Sequence, residues 1–113
     1  MQKKYRIRKN GQFQYVYRKG KNTGAKEIAL VYVRAGKLQV GFSVSKKVGN
    51  AVTRNKIKRR LKEMFRLQIP SLVNGFYVVV ARPSATSATY QTLNKSLRYL
   101  LNKQGLYKKG SDQ

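Results

Sequence analysis

The chain has 113 residues, 41% of them apolar, which supports one small domain with a single core. Its 26 Lys and Arg face only three acids (Glu27, Glu63 and Asp112), and a net charge of +23 calls for a polyanionic partner, nucleic acid before an anionic membrane. There is no Cys and no His, and three scattered acids cannot hold a pair of metal ions. Disulfides, zinc–thiolate sites, thiol or imidazole catalysis and a two-metal nuclease are therefore excluded.

Residues 1–9, MQKKYRIRK, read as a basic arm anchored by Tyr5 and Ile7. The arm lacks the apolar region of a secretory signal, and no 18-residue apolar run follows it. A cytoplasmic protein without a membrane partner or a small-molecule substrate is expected. Asn10 is a candidate N-cap for a short helix from Gln12 to Lys19, closed by Gly20. Phe13, Val16 and Tyr17 share one face of it at i, i+3 and i+4. Either all three are core, or one or two rings stand at the edge of a cleft.

KNTGAK (21–26) reads as a turn or loop. Ile28–Arg34 alternates like a strand, Ala35-Gly36 makes a tight connection, and Leu38–Ser45 is a second extended run. Together they predict an antiparallel hairpin.

KKVGNAVTRNKIKRRLKE (46–63) follows, with Gly49-Asn50 as the break and Asn50 or Thr53 as the cap. From Arg54 onward, Ile57, Leu61, Met64 and Phe65 fall within roughly a 100° arc at helical spacing. Lys56, Lys58, Arg59, Arg60, Lys62 and Arg66 fill the rest. Like charges at i, i+4 repel, so packing must hold this helix and an anion is expected on its outer face. Pro70 ends the region. FYVVVA (76–81) is apolar throughout, as in a strand covered on both faces. Ser84–Thr89 is a small-residue linker. Tyr90–Lys103 is a helix with Leu93, Leu97, Leu100 and Leu101 in one stripe, and LYKKGSDQ (106–113) is expected to fray. The class is α+β, with helices packed on a small mixed β-sheet.

The start of the basic helix is the strongest candidate site. A helix N-terminus presents unpaired N–H groups and a positive dipole end. Here Ser43, Ser45, Lys46, Lys47 and Asn50 lead into it, and Thr53, Arg54 and Asn55 open it. Asn55, neutral among cations, suits either orienting a loop or a metal-bound water, or acting as a local cap.

FSVSKKVGNAVTRNKIKRRLKE closely resembles the signature of the protein subunit of bacterial ribonuclease P. RIRKNGQFQYVYRKG, VVARPSA and LNKSLRYLL extend the likeness over residues 5–108. The resemblance implies one domain over 1–113 with element order αβββαβα and a left-handed βαβ crossover, against the usual right-handed rule. It implies a protein cofactor of a catalytic RNA that removes the 5′ leader from precursor tRNA, with hydrolysis carried by the RNA and its Mg²⁺ and no catalytic or metal-binding residue in the polypeptide.

It places RNA-subunit binding on Lys46, Lys47, Asn50, Arg54, Asn55, Lys56, Lys58, Arg59 and Lys62. Lys56 and Lys62 stand where the family often carries Arg, which keeps the charge and loses the forked geometry. Leader binding falls to Phe13, Tyr17, Tyr32, Ser43 and Ser45. A further aromatic of the family falls near Val31, with Tyr32 as the adjacent ring. The alternative from another class is a structural RNA-binding protein such as a ribosomal component. A self-sufficient metal nuclease fails on ligand count.

Overall fold

A computed structural model of the chain describes residues 2–109. The apolar run at 76–81 lies in the strand on which the sheet is built. In chain order the main elements are α1 (Asn10–Lys19), β1 (Lys21–Gly24), β2 (Ile28–Val33), β3 (Leu38–Val44), α2 (Ala51–Gln68), β4 (Gly75–Ala81) and α3 (Tyr90–Lys103). Short 3₁₀ turns cover Lys3–Tyr5, Ile69–Ser71 and Pro83–Ser87. The strands lie in the order β1-β2-β4-β3. β4 runs antiparallel to β2 and parallel to β3, so the sheet is mixed.

The predicted β2–β3 hairpin is corrected here: those strands do not pair, because β4 enters between them. A strand apolar on both faces gains most with neighbours on both edges and helices on both sides. The turn at 34–37 instead clamps the start of β4. Asn74 Nδ2 donates to the Gly36 carbonyl (3.2 Å) and the Gly75 amide to the Lys37 carbonyl (3.1 Å). KNTGAK also departs from its reading as a loop, since Lys21–Gly24 pairs with Ala29–Tyr32 as an edge strand. Its residues lack strand propensity, and the partner strand imposes the conformation.

Alternation along the strands sorts side chains to two faces. Ile28 and Leu30 of β2, Leu38, Val40 and Phe42 of β3, and Tyr77 and Val79 of β4 face α2 and α3. There they join Ile57, Leu61, Met64 and Phe65 and the four leucines Leu93, Leu97, Leu100 and Leu101 in the larger core. Each of those fully buried leucines contributes about 1.5–3 kcal/mol of apolar burial. α2 lies mainly on β3, and α3 on β2. On the opposite face Val31 and Val78 pack with Val16 of α1 and with Ile7.

The caps match the sequence in part. The Asn50 side chain accepts from the Thr53 amide (2.9 Å) at the start of α2, and Thr89 does the same for Thr92 (3.1 Å) at α3. Asn10 is not a cap: α1 begins at it, and Lys9 occupies the N-cap without a side-chain bond. The frayed tail expected from Leu106 is corrected at its start. Leu106 is buried, Tyr107 bridges to Leu72 and bonds Gln68 Oε1 (2.9 Å), and the Lys108 amide donates to the Ser71 carbonyl (2.7 Å). Residues 110–113 lie outside the described residues.

Candidate nucleic-acid interface

β3 is an edge strand with α2 packed on one face. α1 lies on β2 and β4 and reaches the other face of β3 through Gln12 and Phe13, so the strand's outer edge is where side chains of the two helices can meet. The N-terminal arm closes part of that edge. The Ile7 amide donates to the Val40 carbonyl (2.9 Å), and Arg6 pairs with Val40 in a parallel bridge. Ile7 turns into the core while Arg6 and Arg8, its neighbours in alternation, stay exposed.

Arg6, Arg8, Lys58, Lys62 and Phe13 line a cavity of about 370 Å³ beside Gly41 and Phe42 of β3. Four cations and one ring converge there, with no acid in the lining. Burial lowers the pKa of the Lys62 ammonium, and the Arg6 and Lys58 charges lower it further. Such a cluster is held at a cost that an anion in the cavity would remove.

The structure places the predicted RNA-contact residues unequally. At roughly 100° per residue, Arg54, Asn55, Lys58 and Lys62 share the flank of α2 beside the β3 edge, while Lys56 and Arg59 point further outward. Arg54 is half-buried, and among the described residues its Nε has no acceptor. Lys46 and Lys47 stand exposed in the turn before α2. The side-chain oxygen of Asn50 is engaged as the cap, which leaves its Nδ2 for an outside partner.

The leader set divides as well. Phe13 lies half-buried over Gly41, and Tyr17 is 40% exposed with its ring centroid 6.5 Å from that of Phe13. Ser43 shares the α1 face with Gly41, two residues along β3, and Ser45 follows in the turn. Of the three residues on the α1 stripe only Val16 is fully buried, so the cleft-edge alternative holds for the two rings.

Tyr32 does not join them. It sits on the opposite face, with its ring 4.8 Å from Tyr77 by centroid and over Gly75, and its hydroxyl donates to the Asn74 carbonyl (2.6 Å). Gly75, at φ +153°, is a position that side-chain-bearing residues rarely adopt. Val31, which precedes Tyr32 on β2, does face α1 but is 2% exposed beneath it, so β2 presents no ring to the cleft.

Sequence reasoning passed over Arg6 and Arg8 as part of a loose arm. Their signal was the alternation in Arg6-Ile7-Arg8, which turns one residue in and two out.

A basic α+β protein that gathers cations and exposed rings along one sheet edge is a nucleic-acid-binding protein. The family model for ribonuclease P matches residues 1–105. The chain belongs to the ribonuclease P protein family.

It is similar to the ribonuclease P protein component of an Exiguobacterium species, with 37% identity over 111 residues covering 96% of this chain and 97% of the relative. The component from Clostridium kluyveri is 42% identical over 110 residues, covering 92% and 97%. Among solved structures, the RNase P protein of Staphylococcus aureus superposes with a TM-score of 0.86 at 34% identity over 92% of this chain and 98% of that one. The Thermotoga maritima RNase P protein gives 0.78 at 26% identity, over 87% and 96%.

The role is therefore that of a tRNA-processing ribonuclease P subunit, and the ribosomal alternative is set aside. The chain is part of an endoribonuclease complex and partners its RNA subunit. Among the described residues, no helix is long and apolar enough to cross a membrane.

Proposed function

We propose that this chain is the non-catalytic cofactor of its complex. The RNA subunit and its Mg²⁺ hydrolyse the phosphodiester, and the protein holds the 5′ leader of precursor tRNA while neutralising RNA–RNA repulsion. The observation that carries this is the cavity at the β3 edge, where Phe13 of α1 meets Lys58 and Lys62 of α2 and the two arm arginines. A ring for a base and cations for the adjoining phosphates recognise single-stranded RNA whatever its sequence. The outward cations of α2 (Lys56 and Arg59), with Lys46, Lys47 and Arg54 near its start, are left to dock the RNA subunit. A cytoplasmic location accords with that work.

Among the described residues, the two carboxylates do not fit a resident Mg²⁺. That ion needs hard oxygen ligands, carboxylates above all. Glu27 accepts from Ser96 Oγ (2.7 Å), tying α3 to the β2 end, and Glu63 is paired with Arg66, which holds its carboxyl below the usual range. Neither lines the basic cavity.

The deciding experiment is reconstitution with a bacterial ribonuclease P RNA at low Mg²⁺. Adding the protein should raise the rate of precursor-tRNA cleavage, and the protein freed of RNA should cleave nothing. An unchanged rate would remove the proposal.

A further inference from the structure

α1 carries aromatic groups on both flanks, and the leader reading uses only one. On the flank away from Tyr17, Tyr15 is 40% exposed and meets Phe76 of β4 edge to face, with centroids 6.5 Å apart and planes at 77°. The pair borders a depression of about 490 Å³ rimmed by Arg8, Lys9 and Lys37, again without an acid.

Arg6 and Arg8 line this depression and also the cavity beside Phe13, so positive lining continues from one to the other round the start of α1. The surface is also held in place. Gln12 Nε2 of α1 donates to Gln39 Oε1 of β3 (2.6 Å), and Gln39 Nε2 donates to the Lys4 carbonyl (3.3 Å). These bonds join helix, sheet and arm at the depression, so the backbone that carries the arginines is already fixed when a ligand arrives.

We propose that the Tyr15–Phe76 depression is a second stacking site for single-stranded RNA, taking a distal nucleotide of the same leader whose proximal bases lie on Phe13 and Tyr17. This extends the leader reading given above and rests on it. The outer face of Tyr15 accepts a base of any identity, and Lys9 and Lys37 meet its phosphates. The leader is favoured over a strand of the RNA subunit because the basic lining runs unbroken from the Phe13 cavity, past Arg6 and Arg8, to Tyr15.

The test compares holoenzyme affinity for precursor tRNAs with a leader of about two nucleotides, roughly one per proximal ring, and with a leader of about ten. Tyr15→Leu should weaken the long-leader substrate roughly 5- to 100-fold and leave the short one unchanged, while Tyr15→Phe keeps full affinity for both. Leu preserves the apolar cover over Phe76, so a fold defect would show instead as an equal loss on both substrates. Lys37→Ala should lower the salt slope by about 0.7 for the long leader alone.

No effect on the long leader, or an equal loss on both with the urea midpoint unchanged, overturns the second site; where the midpoint falls, Lys37→Ala decides, and an unchanged salt slope on the long leader overturns it. A loss of RNA-subunit affinity with leader binding intact would assign the depression to that RNA and overturn the leader assignment. Phe13→Ala serves as the separate control. If it too spares both substrates, the leader reading itself has failed, whatever Tyr15 does.

Discussion

The ring of Phe13 rests directly on Gly41, where β3 presents no side chain to hold it off. A Cβ at Gly41 would overlap two carbons of the ring and come within 3.3 Å of Ile7 Cβ, so the ring would have to tip out of the cavity. Gly41→Ala should therefore cost about 1–3 kcal/mol, read as a lower urea midpoint. It should also weaken leader-bearing tRNA, because the stacking surface moves. A neutral substitution would mean that the ring is not seated as described.

Phe13→Ala and Tyr17→Ala should each cost about 1–3 kcal/mol in affinity for leader-bearing precursor tRNA and almost nothing for mature tRNA. Tyr17, the more exposed ring, should show this without loss of thermal stability, whereas Phe13→Ala should also lower the melting temperature. Equal losses on both RNAs would mean that the rings serve the fold rather than the leader.

Tyr32→Phe removes the hydroxyl that donates to the Asn74 carbonyl. Stability should fall by about 0.5–1.5 kcal/mol in urea unfolding, with leader affinity unchanged because the ring lies on the far face of the sheet. A selective loss of leader binding would return Tyr32 to the cleft.

Lys62 gives a pH signature. Its ammonium loses its proton more readily in the folded protein than in the unfolded chain, first from burial and then from Arg6 and Lys58. The folded state thus binds fewer protons in the window between the lowered value and the ordinary lysine value of about 10.4, so this group makes stability rise with pH there. Lys62→Met lacks the penalty. It should be more stable than the parent near neutrality, and the gap should narrow as denaturation midpoints are taken toward pH 10. A gap that stays constant would show that the three cations do not strain one another.

The periodicity of Ile57, Leu61, Met64 and Phe65 was legible because helical spacing and burial on one face are the same fact seen twice. The same holds for the α3 leucines and for the unbroken apolar run of β4. The Asn50 cap was legible as a local interaction spanning three residues. Pairing was not. Whether β2 takes β3 or β4 as its neighbour depends on contacts about fifty residues apart, which no local pattern records. The strand state of Lys21–Gly24 is imposed by β2 in the same way.

The sequence by itself determined that this protein carries a charge of +23 without a single Cys or His and so suits a polyanionic partner, because charge and residue types are set before folding. It also determined that α2 buries one stripe and offers cations on the rest. Only the tertiary structure decided which residues share a site. By inserting β4 between β2 and β3 it left β3 at the edge, with Phe13 of α1 over one face and α2 on the other. That arrangement brings Phe13 to Lys58 and Lys62, recruits Arg6 and Arg8 from the arm, and sends Tyr32 to the opposite side. The reason is the two-residue period of a strand: adjacent side chains face opposite layers, so a shift of one position separates a buried Val31 under α1 from a Tyr32 packed against Tyr77.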